Sequence, residues 1–349
     1  MTYMNYKNLL DQAWRSHLES KKDNPTVISI FAGCGGSSLG YSIAGYKELL
    51  AVEWDNNAVK SFELNFPDIP IYHGDVHKLS VSQCLSLAKC KIKELDVLDG
   101  SPPCQGFSTS GKRKMQDTRN QLYHQFIRLL RGLEPKAFIM ENVSGLIKGK
   151  MKIIFADIMK ELKSSGYQVR CKLLNAKYYL VPQSRQRLIW IGTRNDLEIK
   201  PSYSKGIKKI ITVRKAWVNI GNGDKGKKLK GIREKLYWAT PKGDCLEKGS
   251  KKILGKKEYY TSRRLSFSKP SNCLTKSMGS GIYYPNEARY ISISELKRLQ
   301  SYPDQFQLSG TKNKKWGQIG NSVPPLFMYH IANYVKGLLG YAETGLKIQ

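Results

Sequence analysis

Between residues 26 and about 195, short apolar runs alternate with segments whose apolar residues recur at helical spacing. The runs VISIFAG, LLAVEW, DVLDG, AFIMENV and RLIWIGT are brief, rich in branched side chains and bounded by Gly, Pro, Asn or Asp. That pattern predicts buried strands. Between them, TRNQLYHQFIRLLRGLEP puts Leu122, Phe126, Leu129, Leu130 and Leu133 on one face and stops at Pro135, and MKIIFADIMKELKSSGY behaves alike with Gly166 near its end. Strand and helix in alternation predict an α/β fold built on a doubly wound, mostly parallel sheet. The first twenty residues place Leu9, Leu10, Ala13, Trp14 and Leu18 at helical spacing without a continuous apolar stretch, which predicts an amphipathic helix and no signal peptide. No window approaches the roughly 20 apolar residues of a bilayer span, so a soluble, cytoplasmic protein without a membrane partner is expected.

The pattern changes near residue 196. Residues 200 to 260 hold 18 Lys or Arg against 5 acids, a net of +13, with many glycines and few sustained apolar periods. A second, smaller and strongly basic region is expected there. Periodicity returns at ISISELKRLQSYPDQF, a short helix closed by Pro303, and at PPLFMYHIANYVKGLLG, an apolar helix opening behind Pro324 and Pro325. The whole chain of 349 residues carries a formal net charge of +30. That excess is of the sign that attracts polyphosphate, and its spread along the chain does not suit an amphipathic membrane anchor, so nucleic acid is the expected partner. Seven cysteines without a Cys-x-x-Cys pair suggest neither a disulfide framework nor a zinc site, so no metal and a reducing compartment are expected.

FAGCGGSSLGYSIAGY follows a strand and precedes a helix, the place where a nucleotide-like ligand meets exposed backbone N–H groups. Gly33, Gly35 and Gly36 let the chain pass close to such a ligand. Glu53 stands twenty residues after Gly33 at the end of the next strand, where an acid can hold two ribose hydroxyls. Trp54 offers a flat face for adenine, and Asp75 could accept from the ring's exocyclic amine. Taken singly, each acid could equally be a surface carboxylate or a helix cap. Three successive strand ends converging on one adenosine favour a ligand. NAD and S-adenosylmethionine both meet this description, but Ser38 stands where the dinucleotide fingerprint wants its third glycine, so NAD is the poorer fit.

Cys104 follows DGSPP at the carboxyl end of a strand, and QGFSTSGKRK after it is a small-residue, basic loop suited to closing over an anionic substrate. Lys112, Arg113 and Lys114 would favour thiolate if they approach it. Methylating an amino group on a base needs no enzyme nucleophile. Carbon 5 of a pyrimidine does, because only addition of a thiolate to carbon 6 makes carbon 5 reactive enough to accept a methyl group. A carboxyl near ring nitrogen 3 would stabilise the charge that develops, and Glu141, ending the next strand, is placed to supply it. Arg185 and Arg187 alternate on the approach to a further strand and are expected to share one face, suited to a base carbonyl and a phosphate.

In order, FAGCGG, EWD, GDV, SPPCQGFS, ENV, QSRQR, RRLSFSKPSNCLT and GQIGNSVPP make the chain resemble the DNA (cytosine-5) methyltransferases over nearly its full length. The resemblance implies a Rossmann-like catalytic domain binding S-adenosylmethionine, over 26–195 plus 313–349, and a smaller target-recognition domain over 196–290. Residues 291–312 would connect the two, and 1–25 would be an N-terminal helical extension. It implies Cys104 as nucleophile, Glu141 as the base-contacting acid, and Arg185 and Arg187 as supporting groups. Donor contacts fall on Phe31, Gly33, Cys34, Gly36, Glu53, Trp54, Asp75, Val76, Pro103, Leu122, Asn321 and Val323. The implied substrate is a cytosine rotated out of double-stranded DNA, met by a monomer, with a restriction endonuclease of the same specificity as a possible companion. A tRNA methyltransferase relative would carry a Cys-Phe-Thr tripeptide in the variable region, which this sequence lacks, and an idle DNA-binding scaffold would show a broken motif. Within the variable region, Asn219, Asn222, Arg233, Thr240 and Asn272 are candidates to read base edges.

Overall fold

A computed structural model describes residues 5–19, 25–103, 122–220, 225–343 and 345–346. Cys104, its following loop and Asn222 lie outside the described residues. The strands are β1 (Thr26–Ile30), β2 (Lys47–Glu53), β3 (Ile71–His73), β4 (Val97–Gly100), β5 (Ala137–Val143), β6 (Tyr167–Asn175), β7 (Gln183–Ser184) and β8 (Gln186–Arg194). Seven of them form one sheet in the order β3-β2-β1-β4-β5-β8-β6. β1 to β5 pair in parallel, whereas β8 runs antiparallel to both β5 and β6. The expected doubly wound α/β sheet is therefore present, with one reversed strand.

Alternate residues of each strand face opposite layers. Val27, Val97, Ile139 and Ile189 join one buried cluster with the helices Tyr6–Glu19, Gly36–Ile43 and Pro325–Leu338. Ile28, Leu98, Phe138 and Trp190 join another, with the helices Val81–Ala88, Leu122–Leu133 and Met151–Ser164. Both faces are covered, which is why the central strands read as unbroken apolar runs. β6 escapes that reading because it is an edge strand whose burial alternates only at its start and whose Arg170 meets solvent.

A separate small cluster gathers Leu229, Leu236, Tyr237, Leu246, Tyr283 and Tyr290. Around it lie the helices Ile232–Ala239 and Glu247–Leu254 and the short parallel pair β9 (Arg263–Arg264) and β11 (Ile282–Tyr283). Ile211, Val213 and Ala216 belong instead to the large core, so the basic segment is rooted in the main body at its start. Between those strands, β10 (Ser271–Asn272) pairs with β7. In the N-terminal helix the buried face is Tyr6, Leu9, Leu10, Ala13 and His17, and Leu18, expected on it, is 63% exposed. No described helix is long and apolar enough to cross a membrane.

His330 sits between the rings of Tyr179 and Tyr329, and its Nε2 is shielded from solvent with no hydrogen-bond partner among the described residues. Burial lowers its pKa to about 4. Above the ordinary imidazole value near 6.5 the ring is neutral whether folded or unfolded; below it the unfolded chain takes up a proton that the folded protein refuses. Stability should thus decline as pH falls from about 6.5 toward 4, with a contribution from this ring on the order of 2 kcal/mol. Denaturant titrations of His330→Gln against the parent over that range should show a shallower decline, and parallel curves would contradict the assignment.

Candidate active site

Because β1 to β5 are parallel, their carboxyl ends share one edge, and the reversed β8 begins at that same edge. At the β1 end Phe31 takes a left-handed backbone (φ 63°), and Gly33 and Gly35 follow at +59° and +94°. A Cβ on Gly33 would meet nothing within 4 Å, so the turn presents open backbone there. A Cβ on Gly36 would lie 2.4 Å from the Val323 carbonyl oxygen and 2.7 Å from the Tyr302 hydroxyl. Glycine at 36 is what lets the segment carrying Asn321 and Val323 close against this turn.

Glu53 joins the first two strand ends. Its Oε2 accepts from the Gly33 N–H at 2.8 Å, and its Oε1 accepts from the N–H groups of Trp54 and Asp55, each at 2.9 Å. Burial raises its pKa, an effect the three backbone donors oppose. The Trp54 side chain is 76% exposed, a free flat face beside this carboxylate. Asp55 caps the helix Asn56–Asn65, accepting from the Asn57 and Ala58 N–H groups. Asp75 also caps a turn: its Oδ1 accepts from the His77 N–H and contacts His77 Nδ1 at 2.8 Å, while Val76 beside it is buried. Arg128 donates to the Val76 and Leu79 carbonyls, fastening the helix that begins at Leu122 to this turn. Cys34 is buried with Sγ 3.4 Å from the Tyr302 hydroxyl, and burial raises its pKa to about 11. It is a packing thiol.

These groups suit an adenosyl ligand, with an open glycine turn, an anchored carboxylate and an exposed indole at adjacent strand ends. Pro103, at the β4 end, is half-buried at the same edge.

Glu141 is buried at the end of β5, and Arg187 Nε donates to its Oε1 at 2.6 Å. Asn142 Nδ2 donates to the Pro102 carbonyl at 3.2 Å, so the residue beside Glu141 holds the backbone that leads into Cys104. The two arginines part company. Residue 185 falls between β7 and β8, which breaks the alternation expected to put both on one face. Arg185 is 1% exposed and donates to the carbonyls of Leu274 at 2.9 Å and Gly320 at 3.2 Å. Burial, and then Arg187 nearby, lowers its pKa to about 10. Arg185 Nη1 also reaches Cys273 Sγ at 3.6 Å. Burial alone would raise the Cys273 thiol, but Arg185 and Arg187 bring it below its ordinary value. That cysteine lies within the RRLSFSKPSNCLT motif, but nothing in the sequence marked its thiol as a partner of the arginines.

Among the recognition candidates, Thr240 is buried and its hydroxyl donates to the Leu236 carbonyl at 2.7 Å, so it cannot reach a base. Arg233 is exposed, with Nη1 donating to the Tyr290 hydroxyl. Asn219 is exposed, and Asn272 is half-buried in β10.

A family model described as C-5 cytosine-specific DNA methylase matches residues 25–337. The chain belongs to the C-5 cytosine-specific DNA methylases. It is an S-adenosylmethionine-dependent DNA (cytosine-5-)-methyltransferase by that membership. It is similar to the Type II methyltransferase M1.HphI of Haemophilus parahaemolyticus, 34% identical over 89% of this chain and 86% of that one. Type II methyltransferase M.Sau96I of Staphylococcus aureus is 32% identical over 93% of this chain and 78% of its own. Among solved structures, one provisionally described as a DNA modification methyltransferase encoded within an E. coli prophage superposes with a TM-score of 0.73 at 27% identity. That match covers 91% of this chain and 100% of the other.

The different settings of the two arginines in this methylase lead to different expected losses. Arg185→Met should leave two buried carbonyls unmet and lower unfolding stability by roughly 2–4 kcal/mol, and Arg187→Met should lower it less while acting on turnover. Thermal unfolding of both variants checks this; equal loss of stability would contradict the division of roles.

Proposed function

We propose that this methyltransferase acts on a cytosine rotated out of duplex DNA, with Cys104 as nucleophile and Glu141 as the acid at the base. A stacked base hides carbon 6 from any side chain, hence the rotation. The Cys104 thiolate forms a bond to carbon 6, and the displaced electron pair moves into the ring toward nitrogen 3 and the carbonyl oxygen. Glu141 donates a hydrogen bond or proton at nitrogen 3, and Arg187, already on Glu141 Oε1 at 2.6 Å, orients that carboxyl and faces the base carbonyl. S-adenosylmethionine, when bound, supplies an electrophilic methyl group on a sulfonium. The carbon 5 electron pair would take that methyl group as the sulfonium carbon–sulfur bond breaks and the demethylated donor leaves. Carbon 5 then gives its proton to water, the carbon 6–sulfur bond breaks, any proton lent at nitrogen 3 returns to Glu141, and the thiolate is restored. Arg185 acts by fixing the walls of the cleft through Leu274 and Gly320.

The observation that carries this reading is the strand-end arrangement in which Asn142 holds the Pro102 carbonyl while its neighbour Glu141 holds Arg187. Phe31, Gly33, Cys34 and Gly36 would form the donor turn, with Glu53 on the ribose and Trp54, Asp75 and Val76 around the adenine. Pro103, Leu122, Asn321 and Val323 would complete its walls. Residues 196–290 would form the recognition domain, joined through 291–312 to the catalytic body, and the N-terminal helix would belong to that body. The Type II relatives support a role in restriction and modification; the enzyme is read as a monomer acting in the cytoplasm, with an endonuclease of the same specificity as a possible companion.

DNA carrying 5-fluorocytosine should trap a denaturation-resistant complex, since fluorine cannot leave as the carbon 5 proton does, and Cys104→Ala should abolish it. A normally methylating Cys104→Ala would overturn the nucleophile. Glu141→Gln should reduce kcat at least about a hundredfold with DNA affinity nearly unchanged, because the carboxyl acts on charge that appears after thiol addition.

For recognition, exchanging residues 196–290 for the matching segment of another member should move the methylated sequence to that member's target. Neutralising Lys227, Lys228 and Lys230, all exposed, should weaken binding to every DNA and flatten its salt dependence without moving the target. Bisulfite sequencing reads both; an active exchange that retains the original target would place recognition elsewhere.

A further inference from the structure

The helix Tyr6–Glu19 precedes the residues that the family match covers, and none of the chemistry above uses it. Its last buried residue, His17, makes two long-range hydrogen bonds. Nε2 lies 3.2 Å from the Asn65 carbonyl oxygen, and Nδ1 lies 2.7 Å from Ser42 Oγ. A carbonyl can only accept, so Nε2 carries the proton, and in the neutral ring Nδ1 accepts from the Ser42 hydroxyl. Ser42 lies in the last turn of the helix that opens at the glycine turn, and Asn65 ends the helix that opens just after Glu53 and Trp54. His17 therefore ties together the far ends of the two helices whose beginnings frame the donor site.

A second path runs through aromatic rings. The His17 ring meets Phe66 edge-on, with centroids 5.1 Å apart, and Phe66 packs so closely on Gly35 that a Cβ there would lie 2.3 Å from its ring. Trp14 meets Phe306, which packs on Tyr302, whose hydroxyl touches Cys34. Asp11 accepts from Gln305 Nε2 at 3.2 Å on the same side. Both routes end beneath residues 34–36.

We propose that this N-terminal helix is a brace for the donor turn and that His17 is its positioning residue, acting through Ser42, Asn65 and Phe66 without touching the donor. The proposal rests on the reading of Gly33–Gly36 and Glu53 as the donor site. Removing the ring should let the turn relax, so the loss should fall on donor binding and spare DNA binding and chemistry. By equilibrium titration with S-adenosylmethionine, His17→Ala should raise the donor dissociation constant about three- to tenfold, with its KM rising in step. The kcat at saturating donor and the dissociation constant for DNA should stay within about twofold of the parent. His17→Asn, whose side-chain amide can keep the Ser42 bond, should recover part of the donor affinity.

Unchanged donor affinity in His17→Ala would overturn the proposal, and so would equal losses toward donor and DNA, which would mark general loosening. If His17→Ala does not fold, Ser42→Ala removes a single hydroxyl and stands in for it under the same criteria. Glu53→Ala, measured alongside, separates the two ideas. Weaker donor binding in Glu53→Ala with none in His17→Ala would sink the brace alone, and unchanged binding in both would sink the donor site itself.

Discussion

The site depends on one reversal of chain direction in the sheet. β8 runs against β5 with Val143 opposite Arg187 and Glu141 opposite Ile189. That register brings a cation from the start of one strand to the carboxylate at the end of another, at the edge where the parallel strands also finish. A parallel β8 would begin at the opposite edge, and Arg187 would then lie the length of a strand away from Glu141. A slip by one residue would turn Arg187 to the other face.

Beside that pair, polar contacts fasten the segments that lead toward the glycine turn. Gln183 accepts from the Leu274 N–H at 2.9 Å and donates to the Gln300 side chain, and Gln300 in turn donates to the Ser322 carbonyl at 2.8 Å. Arg185 adds the Leu274 and Gly320 carbonyls. Val323 then closes on Gly36. A segment from the basic region, the strand bearing the arginines and the last motif are thus fastened by groups that would each cost about 1–3 kcal/mol if left unmet in the interior. The proposed base side and donor side would thus share one wall, as two reactants that must meet within bonding distance require.

What the sequence made legible follows from how each signal arises. Apolar runs mark strands covered on both faces, so β1, β2, β4, β5 and β8 could be read, whereas β6, half-exposed at the edge, could not. An apolar run carries no direction, and the reversal of β8 was invisible. Glycine and carboxylate spacing found Gly33 and Glu53, which are in direct contact. The side-chain type alone favoured Thr240, yet its burial depends on the packing of Leu236 and Tyr237 around it. His17 carried no signal either. A histidine on an apolar helix face is ordinary, and its partners lie 25 and 48 residues away.

Charge is sorted by residue type, and the sorting bears on function. The buried cations are mostly arginines turned inward onto carbonyls and acids. Arg264 donates to Pro285 and Thr240 and lies over the Tyr237 ring; Arg289 pairs with Glu295; Arg298 pairs with Asp304 and reaches the Asn219 carbonyl. A planar guanidinium with several donors can satisfy such partners together, which an ammonium does less well. The lysines of the basic segment, among them Lys208, Lys209, Lys225, Lys251, Lys252, Lys256 and Lys257, stand exposed. They contribute nothing to the small core of Leu236 and Tyr283, and their mutual repulsion opposes a compact state. The exposed lysine charge, which the fold does not use internally, would be stabilised when phosphates replace its counterions. The buried arginines thus build the scaffold, and the exposed lysines are the charge that the proposed DNA partner would meet.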